Sequence, residues 1–172
     1  MRALAWNPDH RRLAAAVGTL VVIWDVRDLD RPRKSILTGH GGDVHSVAWS
    51  PDGSQLASAG QEPPNRTEEN PPNIRIWDPA SGQQIGEFFG ESERIRSLAW
   101  SPNGKWIASA GELVGTIGGA NANVRVWDVA ARQQITVMRN HTAPITATQW
   151  NDDGSRLISS SMDGTVRLWD PS

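Results

Sequence analysis

The stretch SMDGTVRLWD at residues 161–170 decides the fold, because its last five residues have three counterparts earlier in the chain. The counterparts are VVIWD at 21–25, IRIWD at 74–78 and VRVWD at 124–128, with successive tryptophans 53, 50 and 42 residues apart. A second tryptophan series, with spacings of 43, 51 and 50, comprises RALAW (2–6), VHSVAW (44–49), IRSLAW (95–100) and ITATQW (145–150). Similarity at such periods indicates a repeat architecture, and the two interleaved series define four copies of one unit.

Each unit is predicted to consist of antiparallel strands. The run before the first tryptophan alternates in hydrophobicity, as VHSVAW does, and a period of two is typical of a strand. A polar turn follows, in which Pro at the second position and Gly at the fourth suit a type I turn, although the first unit has His10 in the glycine position. The turns read NPDH (7–10), SPDG (50–53), SPNG (101–104) and NDDG (151–154). A second strand and the Trp-Asp strand come next, and three units continue into a fourth strand.

These units resemble the WD-repeat β-propeller family, through the four Trp-Asp pairs, Gly39-His40 before the second unit and the SMDGTVRLWD stretch. The resemblance covers nearly the whole chain. It implies an all-β fold, a β-propeller of four-stranded antiparallel blades whose last blade lacks its outer strand. Residues 1–172 form one propeller region in this interpretation, with blades at 2–39, 44–90, 95–139 and, incomplete, 145–170.

Tryptophan dominates the aromatic content, with nine Trp against two Phe and no Tyr. Eight of the nine belong to the two repeated series. Because a large flat side chain fills the wedge between neighbouring blades, we expect these tryptophans to be core residues and not a ligand-stacking platform. Trp106 lies outside both series and is the one expected to be partly exposed.

Composition excludes several classes of function. Lys plus Arg number 17 and Asp plus Glu 19, so the net charge of −2 provides no global basic field for nucleic acid or a membrane. The absence of cysteine excludes disulfides, thiolate metal sites and cysteine nucleophiles. Neither a phosphate-binding glycine motif nor a histidine pair with metal-ligand spacing is present, so we expect no cofactor and no metal. Without a signal-like apolar run, a cytoplasmic protein is expected.

The resemblance also implies a hydrogen-bonded chain inside a blade, formed by His, Ser, Asp and Trp at set places. The fourth unit matches at His141, Ser159, Asp163 and Trp169, the second at His40, Ser58 and Trp77, and the third at Ser109 and Trp127. His141, Ser159 and Asp163 also have the residue types of a nucleophilic catalytic triad. A serine inside a strand, with no indicated oxyanion donors, favours the structural interpretation.

Two insertions between the second and third strands of units two and three are the predicted binding loops. They read QEPPNRTEENPPN (61–73) and ELVGTIGGANAN (112–123). Since successive strands reverse direction, both insertions leave the same face of the ring, and loops on a rigid scaffold commonly carry binding. The candidate residues here are Glu62, Arg66, Glu68, Glu69, Asn70, Glu112, Leu113 and Val114.

After the first position of the first strands, the four units have Arg2, His45, Arg96 and Thr146 at corresponding places. If these residues face the mouth of the channel, they form a basic lip suited to an acidic peptide, which adds Arg96 and His45 to the candidates. Scattered solvated charges are the alternative.

Four blades amount to half of an eight-bladed ring, so the outer faces of the first and last blades would be apolar and exposed. Two copies could close the ring as a homodimer, a longer chain could supply further blades, or four blades could close alone. We expect a non-catalytic scaffold for protein–protein interaction that binds a protein or peptide, not nucleic acid or membrane, on the face of the insertions. The alternative is a sensor or regulatory WD-repeat segment of a larger multidomain signalling protein.

Overall fold

The computed structural model describes residues 1–61, 72–89, 93–113 and 122–171, and every regular element in these ranges is a β-strand. Blade 1 contains β1 (Ala3–Trp6), β2 (Arg12–Val17), β3 (Leu20–Asp25) and β4 (Arg33–Leu37). Blade 2 contains β5 (Val44–Trp49), β6 (Leu56–Gly60), β7 (Pro72–Trp77) and β8 (Gln84–Phe89). Blade 3 contains β9 (Glu93–Trp100), β10 (Trp106–Leu113), β11 (Ala122–Asp128) and β12 (Gln133–His141). Blade 4 contains β13 (Ile145–Trp150), β14 (Leu157–Ser161) and β15 (Val166–Trp169).

Each blade is one antiparallel sheet whose strands lie in sequence order, which confirms the predicted all-β propeller architecture. In the part of the chain that is described, the fourth sheet has three strands. No helix in that part is long and apolar enough to cross a membrane.

The second predicted insertion is shorter than residues 112–123. β10 continues to Leu113 and β11 begins at Ala122. The prediction was wrong at both ends. At the first end, β9 begins at Glu93, two residues early, and its extra residues pair with the extension of β10. At the second end, Ala122 and Asn123 pair with β12.

The turns between first and second strands have the predicted type I hydrogen bond. In each, the backbone N–H of the fourth residue donates to the carbonyl of the first at 2.8–3.0 Å. The three glycines at the fourth position have φ of 70° to 72°, and His10 adopts φ 58° at the same place. Glycine favours this left-handed region, whereas His10 occupies it at a conformational cost.

Three apolar clusters join the blades in order around the arc. We call the side of a blade that packs on the preceding blade its leading face, and the side that packs on the following blade its trailing face. The first cluster packs Ala14 and Ile23 on the trailing face of blade 1 against Val47 and Trp49 on the leading face of blade 2. Equivalent clusters join blade 2 to blade 3 and blade 3 to blade 4. The hydrophobic core therefore lies between blades.

The tryptophans follow this arrangement with one exception. Four are buried, namely Trp49, Trp77, Trp127 and Trp150. Four are half-buried, namely Trp24, Trp100, Trp106 and Trp169. The expectation that only Trp106 would be partly exposed was wrong, because Trp6 is 55% exposed and Trp106 packs on Trp150 with ring centroids 5.9 Å apart. Trp6 lies on the leading face of blade 1, which no described blade covers.

Candidate binding face

Polar side chains converge where the first strands of the blades begin. The strands β1, β5, β9 and β13 are neighbours around the arc. The ends of β2, β6 and β10 lie beside the starts of their antiparallel partners. We call the polar residues gathered at this edge the Arg–His cluster: Arg2, Asp43, His45, Gln61, Arg94, Arg96 and Glu112. The cluster lies on the face from which both predicted insertions leave.

Glu112 holds two guanidinium groups together in blade 3. Arg94 Nη1 donates to Glu112 Oε1 at 2.9 Å, and Arg96 Nη2 donates to the same oxygen at 2.8 Å. Arg94 Nε also donates to Gln61 Oε1 of blade 2 at 2.8 Å. All three charged side chains are about a third exposed or less, so solvent screens these pairs only in part. The network therefore orients both arginines and links blades 2 and 3.

A β-bulge brings Glu112 into this network. The β9–β10 register shifts between Ala110 and Gly111, which leaves Glu112 opposite Arg94. A Cβ on Gly111 would lie 1.9 Å from the carbonyl oxygen of Arg94, so only glycine permits this approach of the two strands. Bulges of this kind commonly redirect side chains beside functional sites.

Arg2 and Asp43 connect blades 1 and 2 across the same edge. Arg2 Nη2 donates to Asp43 Oδ2 at 2.8 Å, with both side chains about half exposed. An exposed ion pair contributes little to stability. Its effect here is to place a third guanidinium near the start of β5.

His45 is the half-buried histidine of the cluster. Its Nε2 atom is buried and has no hydrogen-bond partner within the described ranges, and the same holds for Nε of Arg96. Burial lowers the pKa of His45 from its ordinary value, and the positive charges of Arg2, Arg94 and Arg96 lower it further, against a smaller opposing effect of Asp43. The imidazole is therefore neutral at pH 7.

The cluster carries three guanidinium groups and two carboxylates, so its described residues have a net positive charge at pH 7. Guanidinium groups bind carboxylates through paired hydrogen bonds, and preoriented ones do so at a lower entropic cost. The arrangement is suited to an acidic side chain or a chain-terminal carboxylate. Among the residues described here, no three His, Cys, Asp or Glu side chains are grouped so as to hold a metal ion.

The predicted candidates fall into three groups. The structure brings His45, Arg96 and Glu112 together, whereas Thr146 bonds to Ser160 on its own blade. Six candidates lie outside the described residues and stay predictions: Glu62, Arg66, Glu68, Glu69, Asn70 and Val114. Leu113 is placed by its backbone as the last residue of β10.

Sequence reasoning missed Asp43, Gln61 and Arg94. A usable signal was present, since Gln61 and Glu112 both directly follow a glycine that ends the second predicted strand of its unit. A Cβ added to Gly60 would lie 2.0 Å from the carbonyl oxygen of Asp43, and one added to Gly111 would lie 1.9 Å from that of Arg94. Both carbonyls are at the start of the paired strand.

The hydrogen-bonded chain inside blade 4 has four members. Trp169 Nε1 donates to Ser159 Oγ at 2.8 Å, and Ser159 Oγ lies 2.8 Å from His141 Nε2. His141 Nδ1 lies 2.7 Å from Asp163 Oδ2, which makes Nδ1 the protonated ring nitrogen and Nε2 the acceptor of the serine hydroxyl. Ser159 is buried, and its hydroxyl both accepts and donates within the blade, as a structural residue does.

Blades 2 and 3 contain shorter versions of this chain. In blade 2, Trp77 Nε1 donates to Ser58 Oγ at 2.7 Å, and His40 Nε2 lies 2.7 Å from the same oxygen. In blade 3, Trp127 Nε1 donates to Ser109 Oγ at 2.8 Å. These bonds lie inside the blades and apart from the Arg–His cluster.

Comparison with known proteins gives a consistent match. A family model described as "WD domain, G-beta repeat" matches residues 31–62, 82–128 and 132–170, more than half of the chain. Protein HIR1 of Cryptococcus neoformans is 32% identical over 121 residues, covering 66% of this chain and 12% of that protein. The transcriptional corepressor LEUNIG_HOMOLOG of Arabidopsis thaliana is 31% identical over 91 residues, covering 53% of the chain and 10% of that protein. The WD repeat-containing protein slp1 of Schizosaccharomyces pombe is 34% identical over 107 residues, covering 62% and 20%. The chain thus spans a fifth or less of the length of these curated relatives.

Proposed function

Because the chain belongs to the WD40 family of G-beta repeat proteins, we propose that it is a non-catalytic interaction scaffold that binds a protein or peptide through the Arg–His cluster and the two insertions beside it. WD-repeat proteins generally mediate protein–protein interaction. The relatives include a protein named as a transcriptional corepressor and others named as protein transport proteins. The net charge of −2 supports a protein partner over nucleic acid or a membrane. The cytoplasm is the proposed compartment.

One observation indicates the chemical class of the partner. The positive charges of Arg2, Arg94 and Arg96 act on the half-buried imidazole of His45, whose Nε2 is without a hydrogen-bond partner in the described ranges. Glu112 neutralises only part of this charge while it holds Arg94 and Arg96 in place. The partner of this face is therefore a segment rich in Asp or Glu.

The strands explain why the cluster is a good platform for such a segment. Arg94 pairs with Glu112 in the β9–β10 register, and Arg96 is the bulge residue between two paired stretches of β9. Both side chains donate hydrogen bonds to Glu112, so less conformational entropy remains for binding to remove. Both insertions follow strands, β6 and β10, that end at this edge, and loops on a rigid scaffold commonly carry binding.

The test measures the affinity of fluorescent peptides for the purified chain. Each acidic peptide is paired with a version in which Glu is replaced by Gln, and Arg96→Gln is compared with Arg31→Gln, an exposed arginine between β3 and β4. We expect acidic peptides to bind, added salt to weaken them, and Arg96→Gln alone to lower the affinity roughly tenfold. Equal affinity of the Glu and Gln versions, or of both variants, would contradict the proposal. If every partner still binds after both insertions are trimmed, the insertions are not part of the binding face.

A second candidate is a sensor or regulatory segment of a larger multidomain signalling protein. The size of the relatives favours it, because the matched region is 10–20% of their length. The mass of the protein in its native extract is the measurement that checks it.

Self-association is the other partner proposal. Apolar side chains are exposed on the leading face of blade 1 and on the trailing face of blade 4, including Leu4, Trp6, Ile158 and Leu168. Exposed apolar faces of this kind favour association, and a second copy of the chain offers both. Sedimentation of the purified chain measures it, and a stable monomer near 18.8 kDa would contradict it.

A further inference from the structure

Each junction between blades contains the same hydrogen bond. The tryptophan that ends the first strand donates its indole N–H to the carbonyl of the preceding blade, at the residue just before that blade's own tryptophan. The three instances are Trp49 Nε1 to Ala5 O at 3.0 Å, Trp100 Nε1 to Ala48 O at 3.0 Å and Trp150 Nε1 to Ala99 O at 3.1 Å. A donor on every leading face thus meets an acceptor on every trailing face.

The two ends of the arc carry the separate halves of this junction. Trp6 is the equivalent donor on blade 1, and Gln149, just before Trp150, provides the equivalent carbonyl on blade 4. Trp6 is 55% exposed, against 7% for Trp49 inside the arc. Leu168 is 69% exposed, whereas its counterparts Ile23, Ile76 and Val126 are nearly inaccessible. The end faces therefore have the apolar character of an internal junction without its cover.

The turns between the first and second strands provide independent evidence that the two end faces fit each other. The glycine of each turn packs on the turn of the preceding blade. A Cβ on Gly104 would lie 3.5 Å from Pro51 and one on Gly154 would lie 3.3 Å from Pro102, whereas one on Gly53 would lie 2.5 Å from the side chain of Asn7. At the ends of the arc both partners change: His10 replaces the glycine on blade 1, and Asp152 replaces the proline on blade 4.

These two replacements are complementary in size and chemistry. His10 is larger than glycine, and Asp152 lacks the ring that a proline would place against it. The neighbouring Asn151 is engaged in its own turn, where it bonds to Ser155 and Arg156. An imidazole beside a carboxylate can form a charge-assisted hydrogen bond.

We propose that two copies of the chain join head to tail, with the trailing face of blade 4 of one copy on the leading face of blade 1 of the other. This inference rests on the proposed self-association and names the residues that form its interface. Trp6 Nε1 donates to the carbonyl of Gln149 of the other copy, and His10 pairs with Asp152. Each copy has one face of each kind, so two identical junctions close a twofold-symmetric ring of eight blades, within the usual range for propellers.

Mass measurements test the apolar part of the interface. The purified chain is expected at twice 18.8 kDa by sedimentation or native mass spectrometry. Leu168→Arg buries an unpaired guanidinium at the junction and is expected to weaken the dimer roughly a hundredfold or more. The matched control is Leu29→Arg, at an 80% exposed leucine between β3 and β4, which is expected to leave the dimer unchanged. Equal dissociation of both variants, or of neither, overturns the assigned interface.

Cross-linking tests the pairing of the two turns. The chain has no cysteine, so His10→Cys and Asp152→Cys can be made singly without background. The proposal expects a disulfide when the two variants are mixed and oxidised, but none with either variant alone. The control mixture pairs His10→Cys with Asn103→Cys, an exposed residue of the blade 3 turn, and is expected to stay uncross-linked.

The outcomes distinguish the head-to-tail pairing from self-association itself. A dimer in which His10→Cys cross-links to itself overturns the head-to-tail pairing and leaves self-association intact. A chain that sediments as a monomer overturns both. A cross-link in the control mixture as strong as in the test mixture also overturns the pairing, because it shows non-specific contact.

Discussion

Replacing Ser58 by alanine is expected to destabilise the protein more than replacing Ser109, although the two serines occupy matching places. Each lies on the second strand of its blade between two buried alanines, and each is at most 1% exposed. Each accepts the indole N–H of the tryptophan on the next strand, at 2.7 Å for Trp77 and 2.8 Å for Trp127. The difference is His40, whose Nε2 lies 2.7 Å from Ser58 Oγ.

The size of the effect follows from the number of buried groups that lose this partner. Ser109→Ala removes the acceptor of one buried indole N–H, which costs about 1–2 kcal/mol of unfolding free energy. Ser58→Ala removes the same kind of bond and also the bond to His40, so its cost is about 2–4 kcal/mol. The difference of about 1–2 kcal/mol is the contribution of the histidine.

Urea unfolding followed by tryptophan fluorescence measures both variants against the parent chain. Ala15→Ser provides a converse test, because blade 1 has alanine where the other blades have serine. Ala15 pairs with Val22, two residues before Trp24, just as Ser58 pairs with Arg75, two residues before Trp77. Equal destabilisation by Ser58→Ala and Ser109→Ala would refute the additive role of His40.

Two further perturbations follow from the structure. Gly111→Ala forces a Cβ to within 1.9 Å of the Arg94 carbonyl, so it is expected to cost about 1–3 kcal/mol in thermal unfolding and to weaken acidic peptides, whereas Gly86→Ala, with its nearest contact at 3.5 Å, is expected to do neither. The side-chain hydrogen bonds of Thr165 and His141 hold the pKa of Asp163 well below its ordinary value. Since the folded-state pKa is depressed, this carboxylate stabilises the fold above about pH 4, and the stabilisation is lost as pH falls further. The melting temperatures of the parent chain and Asp163→Asn are therefore expected to converge as pH falls below about 4, and a constant difference would contradict this account.

Local patterns in the sequence predict the blades because the information they need lies within a few residues. Alternating runs, Pro and Gly at defined turn positions and the Trp-Asp pairs each specify a strand or a turn, and their fourfold recurrence specifies the propeller. The strand order and the turn hydrogen bonds agree with that prediction.

The candidate site was only partly predictable. The basic lip predicted from His45 and Arg96 is joined in the structure to Glu112, a residue chosen for a different reason. Arg94 was missed because its role depends on two added strand residues and a bulge, features that arise from pairing across the sheet. The residues of the first insertion stay predictions.

Sequence alone determined the fold class and the number of units, since secondary structure and repetition are encoded locally. Tertiary structure decided which equivalent residues are buried. Trp6 and Trp49 have the same place in their units, and only the second is covered by a neighbouring blade. Burial depends on which blade packs against each face, a property of the arc as a whole that no single repeat specifies. For the same reason, the uncovered faces of blades 1 and 4 can be identified only from the packing of all four blades.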